Sequence, residues 1–148
     1  IKINYLMKKL ILLLTISCFA FVSCNSLKTD KSNMASLQGT WELNYISGPR
    51  IAFQGLYPDE KPTIIFDFKA DLVSGDTGCN RYSGKPNVFG NKIDFKNDMA
   101  LTKRYCPGEG ESVYLATLQK IDSYFVSEDG KTLSFMMGDV AMMRFTKK

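Results

Sequence analysis

The sequence contains no histidine. That absence excludes a Ser-His-Asp triad, a Cys-His nucleophile pair and any histidine-ligated zinc site. Cysteines are few, and none of the four forms a Cys-x-x-Cys redox motif with another. No glycine-rich phosphate loop lies between a strand and a helix. The longest apolar run, Leu10 to Val22, is short for a bilayer span, which takes roughly 20 residues. A strong charge of one sign is also missing. The full chain carries +4, but Lys2, Lys8 and Lys9 precede Cys24 with no acid among them. Without them Lys+Arg falls from 19 to 16 against 15 acids, leaving +1. A near-neutral domain has no broad electrostatic attraction for nucleic acid, and none is expected as a partner.

What is present begins with an address. Ile1 to Leu6 read as residues upstream of an initiator, Met7, whose Lys8-Lys9 make a basic n-region. Leu10 to Val22 fits the apolar core of a secretory signal. Val22-Ser23-Cys24 resembles a bacterial lipobox, although Phe21 stands where Leu or Val is usual. The expectation is a lipoprotein signal with its upstream residues over 1–23 and lipidation, palmitate included, on Cys24. Two or three acyl chains on one residue hold a protein stably to a membrane. A polar tether over 24–36 follows, and the domain occupies 37–148. No acidic run follows Cys24, which favours the outer membrane facing the periplasm over the cell surface.

With Cys18 in the signal and Cys24 lipidated, Cys79 and Cys106 remain. Two cysteines in an oxidising compartment invite a disulfide. It would close a loop worth roughly 3 kcal/mol in the chain-entropy model. Two buried free thiols are the alternative. Both cysteines adjoin a residue that constrains the backbone, Gly78 before the first and Pro107 after the second. The two corners are expected to meet in space.

The domain reads as short strands. Trp41, Leu43 and Tyr45 alternate with polar residues, as do Ile64, Phe66 and Phe68. Ser47 to Lys61 is a loop whose Ile51, Phe53, Leu56 and Tyr57 are placed to plug one end of a barrel. Gly90-Asn91, Asp129-Gly130 and Gly138-Asp139 mark tight hairpin turns. One helix is predicted over Glu109 to Lys120, with Val113, Tyr114, Leu118 and Ile121 on its apolar face. The sum is mainly β: a small antiparallel barrel or strongly curled sheet of about eight strands with one packed helix. Asn80 reads as a short amide that bonds backbone where the ladder breaks, with a ligand contact as the sharper alternative.

These residues together resemble the META domain, or HslJ-like, family. The resemblance rests on Gly39-Thr40-Trp41-Glu42-Leu43, Ile64-Ile65-Phe66, Gly78-Cys79-Asn80-Arg81-Tyr82-Ser83-Gly84, Cys106-Pro107, Glu111 in the helix, Tyr124 and Leu133-Ser134-Phe135. Arg104-Tyr105 stand where the family often has Met-Ala. The resemblance implies a lipocalin-like barrel carried by bacterial envelope lipoproteins, some linked to heat shock, with no established enzymatic activity. No cofactor and no metal are expected, since two cysteines alone make a poor metal site. Asp67, Asp71, Asp76, Asp94 and Asp98 read as solvated strand ends and turns. Three functions follow as expectations: an accessory lipoprotein acting on an envelope protein partner, a carrier of a small apolar ligand or lipid in the barrel mouth, and, last, thiol redox activity at Cys79 and Cys106.

Overall fold

The computed structural model describes residues 34–148. After a helical turn over 34–37, the chain forms β1 (Gly39–Ile46), a one-turn helix α1 (Phe53–Leu56), β2 (Thr63–Asp67), β3 (Leu72–Asp76) and β4 (Arg81–Gly84). It continues through β5 (Asn87–Phe89), β6 (Lys92–Asp94), β7 (Ala100–Leu101), the main helix α2 (Gly110–Leu118), β8 (Ser123–Val126), β9 (Thr132–Met137) and β10 (Val140–Lys147). The ten strands make one antiparallel sheet in the order β5-β6-β8-β9-β10-β1-β2-β3-β4-β7. The mainly β class is as expected, with ten strands rather than about eight.

The sheet is a curled half-barrel, and the connectivity shows how far it curls. β4 lies next to one edge and β5 forms the other, yet only Lys85 and Pro86 join them. Three Cα–Cα steps reach at most about 11 Å. The two ends of the sheet are therefore drawn together, leaving β5 and β7 as short edges that offer little unpaired backbone.

The concavity is filled by side chains. Trp41, Leu43, Ile64, Phe66, Leu133, Phe135, Met143 and Phe145 are buried in one cluster with Tyr114 and Leu118 of α2. Phe135 meets Phe145 edge-on at 5.1 Å and Phe95 at 5.4 Å. Trp41 sends its indole N–H to the carbonyl of Leu37 at 2.7 Å. The buried side of α2 comprises Gly110, Tyr114, Thr117 and Leu118. Ile121, expected on the helix, is buried just beyond its end.

Two positions depart from the simple patterns. Tyr45 points outward, 40% exposed, although Trp41 and Leu43 point in. A bulge causes this: Leu43 pairs with Phe145 but Tyr45 with Arg144, so Asn44 is an extra residue. One inserted residue flips the parity of all that follow, turning Ile46 inward instead. Tyr45 then receives the Arg144 guanidinium over its ring at 5.1 Å. In the 47–61 loop, Leu56 and Tyr57 are buried as plugs, whereas Ile51, ahead of α1, is exposed.

Gly75 is where the sheet admits a buried polar group. It pairs with both Ile64 and Tyr82, and a Cβ there would lie 2.1 Å from the Thr63 carbonyl and 2.7 Å from the Tyr82 hydroxyl. Gly75→Ala is therefore expected to destabilise the domain by more than about 2 kcal/mol. Chemical denaturation followed by circular dichroism measures this, and an unchanged midpoint would contradict the crowding.

Candidate functional site

The candidate site is the junction of the two cysteine corners with the start of α2. Cys79 and Cys106 are joined by a disulfide, 27 residues apart in sequence with Cα atoms 6.0 Å apart. The expected meeting of the corners is what the structure shows. Gly78 is needed there on two counts: its φ is +87°, and a Cβ would sit 2.9 Å from the Glu60 carbonyl. Pro107 lies exposed on the rim.

Asn80, only 2% exposed, holds the corners together. Its Oδ1 accepts from the Arg104 N–H at 2.8 Å and from the Thr102 hydroxyl at 2.9 Å. Its Nδ2 donates to the Arg104 carbonyl at 2.9 Å and to Glu111 Oε1 at 3.2 Å. The same nitrogen lies 3.0 Å from Cys106 Sγ. The side chain thus acts as a strand partner for residue 104, presenting both an acceptor and a donor. The reading of Asn80 as a backbone-bonding amide agrees with this geometry, although its partner is distant in sequence.

Thr77, fully buried, closes the turn. Its Oγ1 accepts from the Asn80 N–H at 2.9 Å and donates to Glu111 Oε2 at 2.6 Å. Glu111 is the second residue of α2, where helix-terminal N–H groups favour a carboxylate. Among the described residues no buried side-chain nitrogen or oxygen lacks a partner. The disulfide forms one wall of a cleft of about 300 Å³ that Tyr57, Glu60, Arg104, Tyr105 and Glu111 also line. Arg104 Nη2 donates to the Cys79 carbonyl, while the Tyr105 ring is 86% exposed.

Beneath the site lies a tyrosine cluster. The hydroxyls of Tyr82 and Tyr114 are 2.7 Å apart, and Tyr82 donates to the Thr63 carbonyl at 2.9 Å. Tyr57 donates to the Gly110 carbonyl at 3.0 Å. Burial pushes the Tyr57 phenol up to about 12, and pushes Tyr82 and Tyr114 further above the ordinary tyrosine value. The anionic form is therefore disfavoured, and these groups tie α1 and α2 to the sheet as neutral donors.

Elsewhere, a shallow groove of about 670 Å³ lies on the outer face along β2, β3, β4 and β7, lined by Ile65, Asp76, Arg81 and Thr102. Phe66 is wholly buried, and Phe53, Phe68 and Met142 pack partly buried against the core. These side chains thus pack into or against the core. Of the residues named from sequence, Gly78, Cys79, Asn80, Cys106 and Pro107 converge here; Cys24 lies outside the described residues. Glu111 is marked in the sequence only as a family residue in the helix, and Thr77 is not singled out at all. The links from Glu111 to Asn80 and to Thr77 each cross more than thirty positions, and no local signal announces them.

The curled antiparallel sheet defines a small β-domain fold, and solved structures share that fold. The chain is similar to a protein from Burkholderia xenovorans solved by NMR, with TM-score 0.63 and 20% identity over 86% of this chain and 92% of that one. A second NMR structure gives TM-score 0.53 and 16% identity over 75% of this chain and 90% of that one. No curated protein matches significantly. The META domain family profile matches residues 33–148, and the chain belongs to that family.

Two outcomes are expected. Asn80→Ala leaves the Arg104 N–H and the hydroxyl of Thr102 with fewer partners and should cost about 1–3 kcal/mol in thermal or chemical unfolding; a neutral variant would remove Asn80 from its central place. The tyrosines set an alkaline limit. A phenol whose folded value is raised contributes stability present below its unfolded value, near 10, and lost as pH rises through the folded value. Stability should therefore fall above about pH 10, with the phenolate absorbance of Tyr57, Tyr82 and Tyr114 appearing together with unfolding. Titration of every tyrosine in a still-folded domain would contradict this.

Proposed function

We infer that this META-domain chain is a non-catalytic lipoprotein of the bacterial cell envelope that acts through protein contacts. Lipid on Cys24 anchors it at the outer membrane facing the periplasm, and its role is accessory or stress-related. The observation that carries this reading is the filled interior. Twelve large side chains, Trp41, Tyr114 and Phe66 foremost, are essentially without solvent contact, so the concavity that stores a ligand in open barrels is occupied by the protein itself. What remains available is the outer surface, where Tyr105 stands out beside the disulfide. Large aromatics of this kind are enriched where proteins meet.

The non-catalytic part of the reading has chemical support. The polar groups gathered at the site, Thr77, Asn80 and Glu111, bond to one another and to backbone. A carrier of a small apolar ligand, and thiol redox activity at Cys79 and Cys106, rank below it.

Native mass spectrometry of the delipidated domain, purified from its own envelope, tests the reading. The expected species are the bare domain and a complex with a protein partner. A retained lipid or other small apolar molecule would replace the reading with that of a carrier. In parallel, Cys24→Ser should release the protein from the membrane fraction and abolish palmitate labelling; membrane retention without label would remove the anchor.

A further inference from the structure

Cys79, Cys106 and Glu111 bring two sulfurs and a carboxylate oxygen within 4.8 Å of one another. The geometry points to a second state of this corner, in which the reduced cysteines and Glu111 bind one thiophilic divalent cation of the zinc class. While the disulfide is closed, neither sulfur has a thiolate to offer. Once it opens, the ingredients of a Cys₂-carboxylate site with one open position are in place.

The distances fit the chemistry. Zinc takes thiolate at about 2.3 Å and carboxylate at about 2.0–2.2 Å, so tetrahedral ligands lie roughly 3.5–4 Å from each other. Cys106 Sγ is already 3.6 Å from Glu111 Oε2. The two sulfurs need only move apart from their bonded contact, and their Cα atoms are 6.0 Å apart. The surrounding groups suit a charged centre. Asn80 Nδ2 reaches both Cys106 Sγ at 3.0 Å and Glu111 Oε1 at 3.2 Å, the outer hydrogen bond that orients metal ligands. Arg104 Nη2 lies 3.9 Å from Cys79 Sγ and offsets the net negative charge of two thiolates and a carboxylate with a divalent ion. The 300 Å³ cleft provides entry, and water completes the coordination.

The step balances with a dithiol as reductant. Its thiolate attacks one sulfur of the Cys79–Cys106 bond, a mixed disulfide forms, and its second thiol resolves that bond. Two electrons and two protons pass to the protein, and the reductant leaves as a disulfide. The two cysteine protons are released as the cation binds.

The test uses the folded domain with its disulfide closed, and the same protein reduced by a dithiol that is then removed without air. Zn²⁺ binding is measured by competition with a chromophoric chelator, and Cd²⁺ by its thiolate charge-transfer band. One ion per reduced chain is expected, with no thiolate band in the oxidised chain. Cys79→Ser and Cys106→Ser should abolish the band. Glu111→Gln should weaken binding by at least about tenfold, as should Asn80→Ala through the outer hydrogen bond. Glu111→Asp should recover part of the loss. If reduction unfolds the chain, Zn²⁺ should restore its circular dichroism, since metal binding then couples to folding. A reduced chain that neither binds nor refolds with Zn²⁺ overturns the proposal. So does Glu111→Gln binding as tightly as the parent, which would reduce the site to two loose thiols.

Discussion

One amide group, that of Asn80, joins three segments that are remote in sequence. It pairs with the backbone of residue 104 in both directions, reaches the carboxylate at the start of α2, and sits against the sulfur of Cys106. A buried amide is costly unless every donor and acceptor is met. The site is built so that the backbone at Arg104, the hydroxyl of Thr102 and the first turn of α2 each supply a partner. The disulfide then closes over an arrangement that hydrogen bonds already define, and adds roughly 3 kcal/mol through the unfolded chain. Gly78 is the residue that lets the turn approach the Glu60 carbonyl closely enough for this to happen.

The curl of the sheet follows a related logic. Two residues between β4 and β5 bring its opposite ends together, and α2 returns the chain across the mouth. The space so enclosed is small, and aromatic residues from both halves of the sheet fill it. Where polar groups must enter, they do so in pairs: Tyr82 with Tyr114, Tyr57 with the Gly110 carbonyl, Trp41 with the Leu37 carbonyl. A domain of this build presents its outer surface and its cysteine corner to the environment.

Glu111 changes meaning with the state of that corner. Beside a disulfide it is a hydrogen-bond acceptor that anchors α2 to the Thr77–Asn80 turn. Beside two thiolates it is a third ligand. The same three atoms serve both states because the hydrogen bonds that position the carboxylate come from Thr77 and Asn80, which do not depend on the sulfur–sulfur bond.

Much of this was legible in the linear order of residues. Period-two alternation marked the strands, glycine and asparagine pairs marked the hairpins, and the Glu109–Lys120 pattern marked α2 to within two residues at its C-terminal end. These features are local, and local sterics and burial produce them. The flipped parity at Tyr45 was not legible, because a bulge depends on how β1 meets β10. The Tyr82–Tyr114 pair and the convergence of Thr77, Asn80 and Glu111 were not legible either. Hydrogen bonds across more than thirty residues leave no periodicity. The sequence by itself determined the strand-rich class, the turns and the lack of histidine chemistry. Only the tertiary structure decided that the interior is full and that a carboxylate stands beside both sulfurs, because both depend on distances that arise when the sheet curls.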